Sequence, residues 1–255
     1  MKQFFLTSSA GKCLIGKALS QHPEIRKKLD KGIVVIIAGT TNSYAAQEIL
    51  SELGENSGFN RSRFFRGINL PPYYKMNNSG RLADESGFHG DVIIQNGKWL
   101  KGQTVYDIID KMEAGDIIMK GANALDMEHR RAAVLIGNNN GGTIIPIIQS
   151  MLGRRTRIII PVGLEKRVYG DMDKLTAEIN RPGSDGFRLM PLPGEVFTEI
   201  EALYMLTGIK AVLFAAGGVS GAEGGIYLYA NGTPEQEASA DSLVRTLAAE
   251  PPFIL

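Results

Sequence analysis

Ile33-Val34-Val35-Ile36-Ile37-Ala38, running directly into Gly39-Thr40-Thr41-Asn42-Ser43, is the stretch that decides the fold. A continuous, mostly β-branched apolar run without polar alternation describes a strand covered on both faces, as in a parallel sheet. The polar turn behind it feeds Tyr44 to Leu53, where Ala45, Ile49, Leu50 and Leu53 recur at helical spacing. The same arrangement returns twice. Asp116 to Met119 precedes Lys120-Gly121-Ala122-Asn123-Ala124-Leu125-Asp126, and Ala132 to Ile136 precedes Gly137-Asn138-Asn139-Asn140-Gly141-Gly142-Thr143. In an open parallel sheet the carboxyl ends of the strands share one edge, so loops distant in sequence meet there around one ligand. Glycine-rich turns and helix starts offer backbone N–H groups that favour phosphate or carboxylate. The expectation is one anion-binding crevice bordered by all three segments.

Outward from that unit, Thr7-Ser8-Ser9 caps a helix to about Ser20, and Pro23 opens a second helix through Asp30. Residues 54 to 90 show no clear periodicity and hold Arg61, Arg63, Arg66 and Pro71-Pro72; an excursion of that length is either a functional flap or a solvated connector. Asn96-Gly97 between Val92-Ile93-Ile94-Gln95 and Lys98-Trp99-Leu100 signals a hairpin. Helices are expected over Thr104 to Met112, Thr143 to Leu152, Thr198 to Leu206 and Pro234 to Ala249. Strands are expected over Arg157 to Val162, Ala211 to Ala216 and Ile226 to Tyr229. The alternation argues for an α/β fold, a three-layer open, mostly parallel sheet with helices on both faces in one domain of 255 residues, with a small inserted subdomain over about 170–210.

Composition narrows the partners. Hydrophobic residues are 44% and charged residues 22%, ordinary for a globular chain, and 28 Lys plus Arg against 27 Asp plus Glu leave a formal charge of +1. That balance gives no global field for nucleic acid or an anionic membrane, so anion selectivity must be local. No run reaches about 18 apolar residues, which argues against a membrane span, and the short apolar start, Phe4-Phe5-Leu6, is no signal-peptide core. A cytoplasmic protein is expected. The single Cys13 is either a nucleophile or, on its helical face, a small apolar residue. No Cys/His spacing suits zinc.

The residues of the three segments set the site. Thr40, Thr41 and Ser43 bring hydroxyl groups and Asn42 an amide, either to a ligand or to the helix start itself. No Gly-Lys-Ser/Thr follows, and the run is not a dinucleotide fingerprint, so no cofactor is implied. Lys120 is either an anion-binding cation or a surface lysine at a strand end. Glu223, in Gly221-Ala222-Glu223-Gly224-Gly225, is either a nucleophile or a solvated turn carboxylate. His22 sits at a helix start; His89 and His129 are isolated in sequence.

Taken together, the three segments resemble the ribose-5-phosphate isomerase, glucosamine-6-phosphate deaminase and CoA-transferase-like superfamily over about residues 30 to 168. The phosphate-gripping loop of the isomerase is similar to Gly39 to Ser43. Its Asp-Gly-Ala-Asp-Glu segment is similar to Lys120-Gly121-Ala122-Asn123-Ala124 with Asp126, and its lysine-glycine loop is similar to Asn138 to Thr143. Lys166, in Glu165-Lys166-Arg167 after a buried strand, stands where that superfamily often has a lysine. Where the isomerase has two acidic residues this chain has Lys120 and Asn123, and Ile144-Ile145-Pro146-Ile147-Ile148 replaces the segment carrying its catalytic glutamate. An enediol isomerisation needs a base within reach of a carbon-bound proton, so ribose-5-phosphate isomerase itself is not expected.

The resemblance implies a divergent member that binds a small phosphorylated or carboxylated metabolite. One reading is an isomerase-like enzyme on a sugar phosphate, with Lys120, Asp126 and Glu223 as candidate catalytic groups. Gly39, Thr40, Thr41, Asn42, Ser43, Gly121, Asn123, Asn138, Asn139, Asn140, Gly141, Gly142, Thr143 and Lys166 would then bind the ligand. The alternatives are a non-catalytic metabolite sensor and an enzyme of CoA-transferase type with Glu223 as nucleophile. The expected partners are the small anion and further copies of the chain, with no metal, no direct nucleic-acid contact and no membrane.

Overall fold

The computed structural model describes residues 1–66, 70–71, 73–75, 82–84 and 87–255. Their first half runs β1 (Lys2–Leu6), α1 (Ser8–Ser20), α2 (Pro23–Asp30), β2 (Ile33–Ile36), α3 (Thr40–Glu52), β3 (Val92–Gln95), β4 (Lys98–Trp99), α4 (Val105–Ile108), β5 (Ile117–Met119), β6 (Ala124–Asp126) and β7 (Arg131–Ile136). The second half runs α5 (Ile144–Arg154), β8 (Arg157–Pro161), α6 (Met172–Ile179), β9 (Arg188–Leu192), β10 (Glu195–Phe197), α7 (Glu199–Thr207), β11 (Lys210–Ala216), β12 (Ile226–Asn231) and α8 (Pro234–Leu247). Part of the excursion over 54–90, including Pro72, lies outside the described residues; Arg61–Arg63 within it form a 3-10 turn.

The α/β class is realised as a mixed, mostly parallel sheet plus two antiparallel ones. The six-stranded sheet has the order β10-β8-β5-β2-β3-β4. Its strands β10, β8, β5 and β2 are parallel, and β3 and β4 complete it antiparallel. All four residues of β2 are buried, as expected for an apolar run flanked by hydrogen-bonded neighbours and covered on both faces. Against this sheet α1 packs on α3 and α7. Gly16 of α1 permits the approach, since a Cβ there would stand 2.8 Å from the Tyr44 carbonyl carbon and 2.9 Å from the Ala45 nitrogen.

The division into three sheets departs from the single sheet expected. The second polar segment is partly strand: β6 pairs with β7, and β9 completes a small antiparallel sheet. The turn chemistry explains it. Asp126 accepts hydrogen bonds from the backbone N–H groups of Glu128 (3.0 Å) and His129 (3.1 Å), an Asx-type turn, and Arg130 adopts a left-handed φ of 52° to bring the chain back. β1, β12 and β11 form the third sheet, also antiparallel. Residues 170–210 are shared out, with β9 in the small sheet, β10 in the large one and α7 against α1.

Helix α3 starts at Thr40 rather than near Tyr44, so the first polar segment is the helix N-terminus itself. The Ser43 N–H donates to the Gly39 carbonyl at 2.8 Å and the Ser43 hydroxyl to the Thr40 carbonyl at 2.7 Å. Gly39 has φ −179°, extended backbone open to any residue, and a Cβ there would meet nothing closer than the Ile37 carbonyl oxygen at 3.9 Å. A left-handed backbone is not the reason for that glycine.

Candidate functional site

Helices α3 and α5 both begin at one cavity of about 1110 Å³, and neither has a side-chain cap. The cavity is bordered by residues 39–42 after β2, residues 120–123 after β5, and Asn138 with residues 141–144 after β7. All three polar segments therefore reach it. Gly141 and Gly142 have left-handed φ values of 77° and 58°, the turn that leads the chain into α5. Uncapped N-termini leave first-turn N–H groups without intrahelical partners and carry the positive end of the helix dipole.

Three cations stand around this opening. Lys120 follows β5 directly, and its ammonium has no hydrogen bond or ion pair among the described residues. Desolvation by the cavity walls pushes its pKa down to about 8, aided by the charges of Arg66 and Lys166 and opposed by Asp91. Lys166, in the 3-10 turn after β8, donates to the Ala122 carbonyl at 2.8 Å, and burial lowers its pKa too. Arg66 lines the wall and forks onto Asp91 at 2.7 and 3.3 Å.

The floor is set by buried polar atoms. Asn42 donates to the carbonyls of Ile37 (2.8 Å) and Met119 (3.1 Å), tying the ends of β2 and β5 together from inside α3. Its Oδ1 and the Thr41 hydroxyl are buried with no partner among the described residues, where buried polar atoms normally have one. Asn123 accepts from the Leu135 N–H at 3.1 Å, and Asn138 accepts from the Asn140 N–H at 2.7 Å, so both amide oxygens serve the loops. Aromatic side chains complete the walls, with Phe65, Tyr73, Tyr74, Tyr106, Phe187 and Phe253 all reaching the cavity.

Of the residues named from sequence, Gly39, Thr40, Thr41, Asn42, Lys120, Gly121, Asn123, Asn138, Gly141, Gly142, Thr143 and Lys166 border the cavity. Ser43, Asn139 and Asn140 do not; Ser43 is wholly buried in α3 and its hydroxyl is committed to Thr40. Asp126 also lies outside. Its carboxylate binds the β6–β7 turn and the His129 ring at 2.9 Å, and the His129 N–H holds its pKa below the usual range. Glu223 is exposed away from the cavity and accepts from the Gly221 N–H at 2.8 Å. The cavity lining contains no aspartate or glutamate among the described residues. Cys13 is buried in the core and desolvation lifts its thiol pKa to about 11, the opposite of an activated thiolate.

Arg66 is the residue that sequence reasoning passed over. Its one signal was membership of an arginine-bearing, aperiodic excursion, and nothing local paired it with Asp91. Tyr106, Phe187 and Phe253 carried no signal, because their roles come from packing between elements far apart in the chain.

No family model, curated protein or solved structure matches the chain. Among the described residues no helix is long and apolar enough to cross a membrane, and no group of three or more His, Cys, Asp or Glu is placed to hold a metal ion.

Proposed function

We propose that this chain binds a small phosphorylated or carboxylated metabolite in the cavity at the carboxyl edge of β2 and β5. The observation that carries the reading is the Lys120 ammonium, unpaired among the described residues, at a cavity that also receives two uncapped helix N-termini, Lys166 and Arg66. Positive charge and free N–H groups, with no aspartate or glutamate in the lining among the described residues, form a receptor for an anion. A divergent member of the isomerase and CoA-transferase-like superfamily is the framework for this reading. The lack of aspartate and glutamate in the described lining argues against proton abstraction by an acidic side chain in that site. It favours either a non-catalytic sensor or an enzyme on a sugar phosphate or related carbonyl compound that uses the amine.

A thermal-shift series with inorganic phosphate, sugar phosphates, carboxylates and CoA esters tests it. A ligand at about 100 times its Kd stabilises the native state by roughly 2.7 kcal/mol. Lys120→Ala is expected to weaken the best anion by about 1.5–3 kcal/mol, roughly ten- to a hundredfold in Kd by titration calorimetry, with folding retained. No stabilisation by any anion, or an unchanged Kd in Lys120→Ala, overturns the reading.

A further inference from the structure

The anion-binding reading accounts for the charge of Lys120 but not for its isolation. A lysine needed only as a countercharge gains from a neighbouring carboxylate or carbonyl to hold it in place, as Lys166 is held by Ala122 at 2.8 Å. Lys120 has no such contact among the described residues. It projects from the end of β5, a central strand flanked by β2 and β8 in parallel register, so its backbone is fixed while its amine is free in the cavity. Its neighbours are arranged against protonation, because Arg66 and Lys166 both face it and Asp91 is already forked by Arg66. A desolvated amine beside other cations is an activated nucleophile, and carbonyl carbon is what such an amine attacks.

Resting on the anion-pocket reading, we propose that Lys120 is a covalent capture residue: its Nζ forms an imine with the carbonyl carbon of a small oxo compound bearing a carboxylate or phosphate. The neutral amine donates its lone pair to the carbonyl carbon, and the C=O π pair moves to oxygen. A proton passes from nitrogen to that oxygen. Gaining one more proton from solvent, the hydroxyl leaves as water while the nitrogen lone pair forms C=N. Overall one ammonium and one carbonyl give one protonated imine and one water, and hydrolysis reverses it. The anionic group of the same molecule would lie toward the N-termini of α3 and α5, which fixes the carbonyl beside the amine.

The aromatic walls suit this chemistry. Phe65, Tyr106 and Phe187 border the cavity, so part of its wall is apolar. The neutral fraction matters as well. With its pKa brought down to about 8, Lys120 has an appreciable neutral fraction near neutral pH, whereas an ordinary lysine has almost none. Arg66 and Lys166 push in that direction and Asp91 pushes back.

Borohydride trapping decides the matter. The full chain is incubated separately with pyruvate, glyoxylate, glyceraldehyde 3-phosphate and dihydroxyacetone phosphate, with acetone and propanal as uncharged controls. It is then reduced, so that hydride adds to C=N and leaves a stable secondary amine, and the modified peptide is located by mass spectrometry. The expected result is a single adduct on Lys120 from at least one anionic probe, at least tenfold above the uncharged controls, with its yield rising to half-maximum near pH 8. Reaction with the carboxylated probes alone or the phosphorylated probes alone assigns the anionic group. Lys120→Arg, which keeps the positive charge, is expected to lose the adduct and retain stabilisation by inorganic phosphate.

Adducts scattered over surface lysines, or equal labelling of wild type and Lys120→Arg, overturn the proposal. Stabilisation by phosphate without any Lys120 adduct overturns imine formation alone and leaves the anion pocket standing. Absence of both phosphate stabilisation and adduct removes the two together.

Discussion

The Asp91 carboxylate, with no exposure to solvent, is gripped by the Arg66 guanidinium at 2.7 and 3.3 Å and at the same time accepts the N–H groups of Ala38 and Val105, each at 2.9 Å. One side chain thus fastens the exit of β2, the start of α4 and the cation of the cavity wall. The centre of the Phe88 ring lies 5.5 Å from the guanidinium carbon.

Removing Asp91 leaves a largely buried cation and two N–H donors without their acceptor. Asp91→Ala is therefore expected to lower stability by about 3–5 kcal/mol, the usual cost of breaking a buried pair from one side. Urea denaturation checks it. A loss within 1 kcal/mol (about one average hydrogen bond) would mean that water replaces the carboxylate and that the site is more open than its geometry shows.

Lys120 gives a pH signature independent of any ligand. Its native pKa of about 8 lies below its ordinary 10.5, so the unfolded chain holds this proton more tightly. The resulting penalty on the native state is full below pH 8 and fades as pH rises toward 10.5, so this residue makes stability climb with pH across that window. Lys120→Met should remove that contribution and be the more stable protein at pH 7. Parallel slopes for the two proteins between pH 8 and 10 would contradict the desolvated lysine.

Glu199 predicts the opposite slope. Burial, strengthened by the nearby Glu165 charge, raises its pKa above the ordinary 4.5, while the Leu164 N–H donates to it at 2.9 Å. A raised carboxyl stabilises the native state fully below pH 4.5, and that stabilisation is lost as pH rises through the native value. Glu199→Gln keeps an acceptor for Leu164 and carries no charge. It should match wild type near pH 4 and exceed it at pH 8, as read by melting temperature across the two conditions.

Two glycines separate packing from ligand access. Gly16→Ala drives a methyl group against the α3 backbone at 2.8–2.9 Å and is expected to cost about 1–3 kcal/mol without altering the cavity. At Gly39 an added Cβ meets nothing closer than the Ile37 carbonyl oxygen at 3.9 Å among the described residues, so in Gly39→Val stability should hold while anion affinity falls as the side chain enters the cavity beside α3. Melting and titration on the same pair of variants check both halves.

The central strands and the polar segments behind them were legible because each combined two local signals: a β-branched run, and a glycine-bearing polar turn immediately after it. That sufficed for β2, β5 and the loops around Gly39, Lys120 and Gly141. Sheet membership was not legible. Ala132 to Ile136 reads as a strand in either sheet, and only the Asp126 turn, which folds β6 back on β7, assigns it to the small one. Asp126 and Glu223 were read as chemistry because a carboxylate in a polar loop looks the same whether it faces a ligand or its own backbone. Arg66 stayed hidden for the converse reason: its partner Asp91 is 25 positions away in sequence.

Residues 120–123 are the whole connection between β5 of the large sheet and β6 of the small one. The piece of chain that presents the amine is therefore also the joint between two plates. A small rotation of the small sheet would carry the loop after β7, and with it the start of α5, past Lys120, whose backbone is held in the large sheet by its N–H bond to the Ile159 carbonyl at 3.0 Å. Contacts remote from the amine therefore bear on the shape of the cavity. The amide of Asn180, for instance, clasps both the N–H and the carbonyl of Leu189 on β9, at 2.8 and 2.6 Å, well away from the amine. Loosening that clasp would let β9 shift on β7, and with it the Asn138 loop, without touching a residue of the cavity wall.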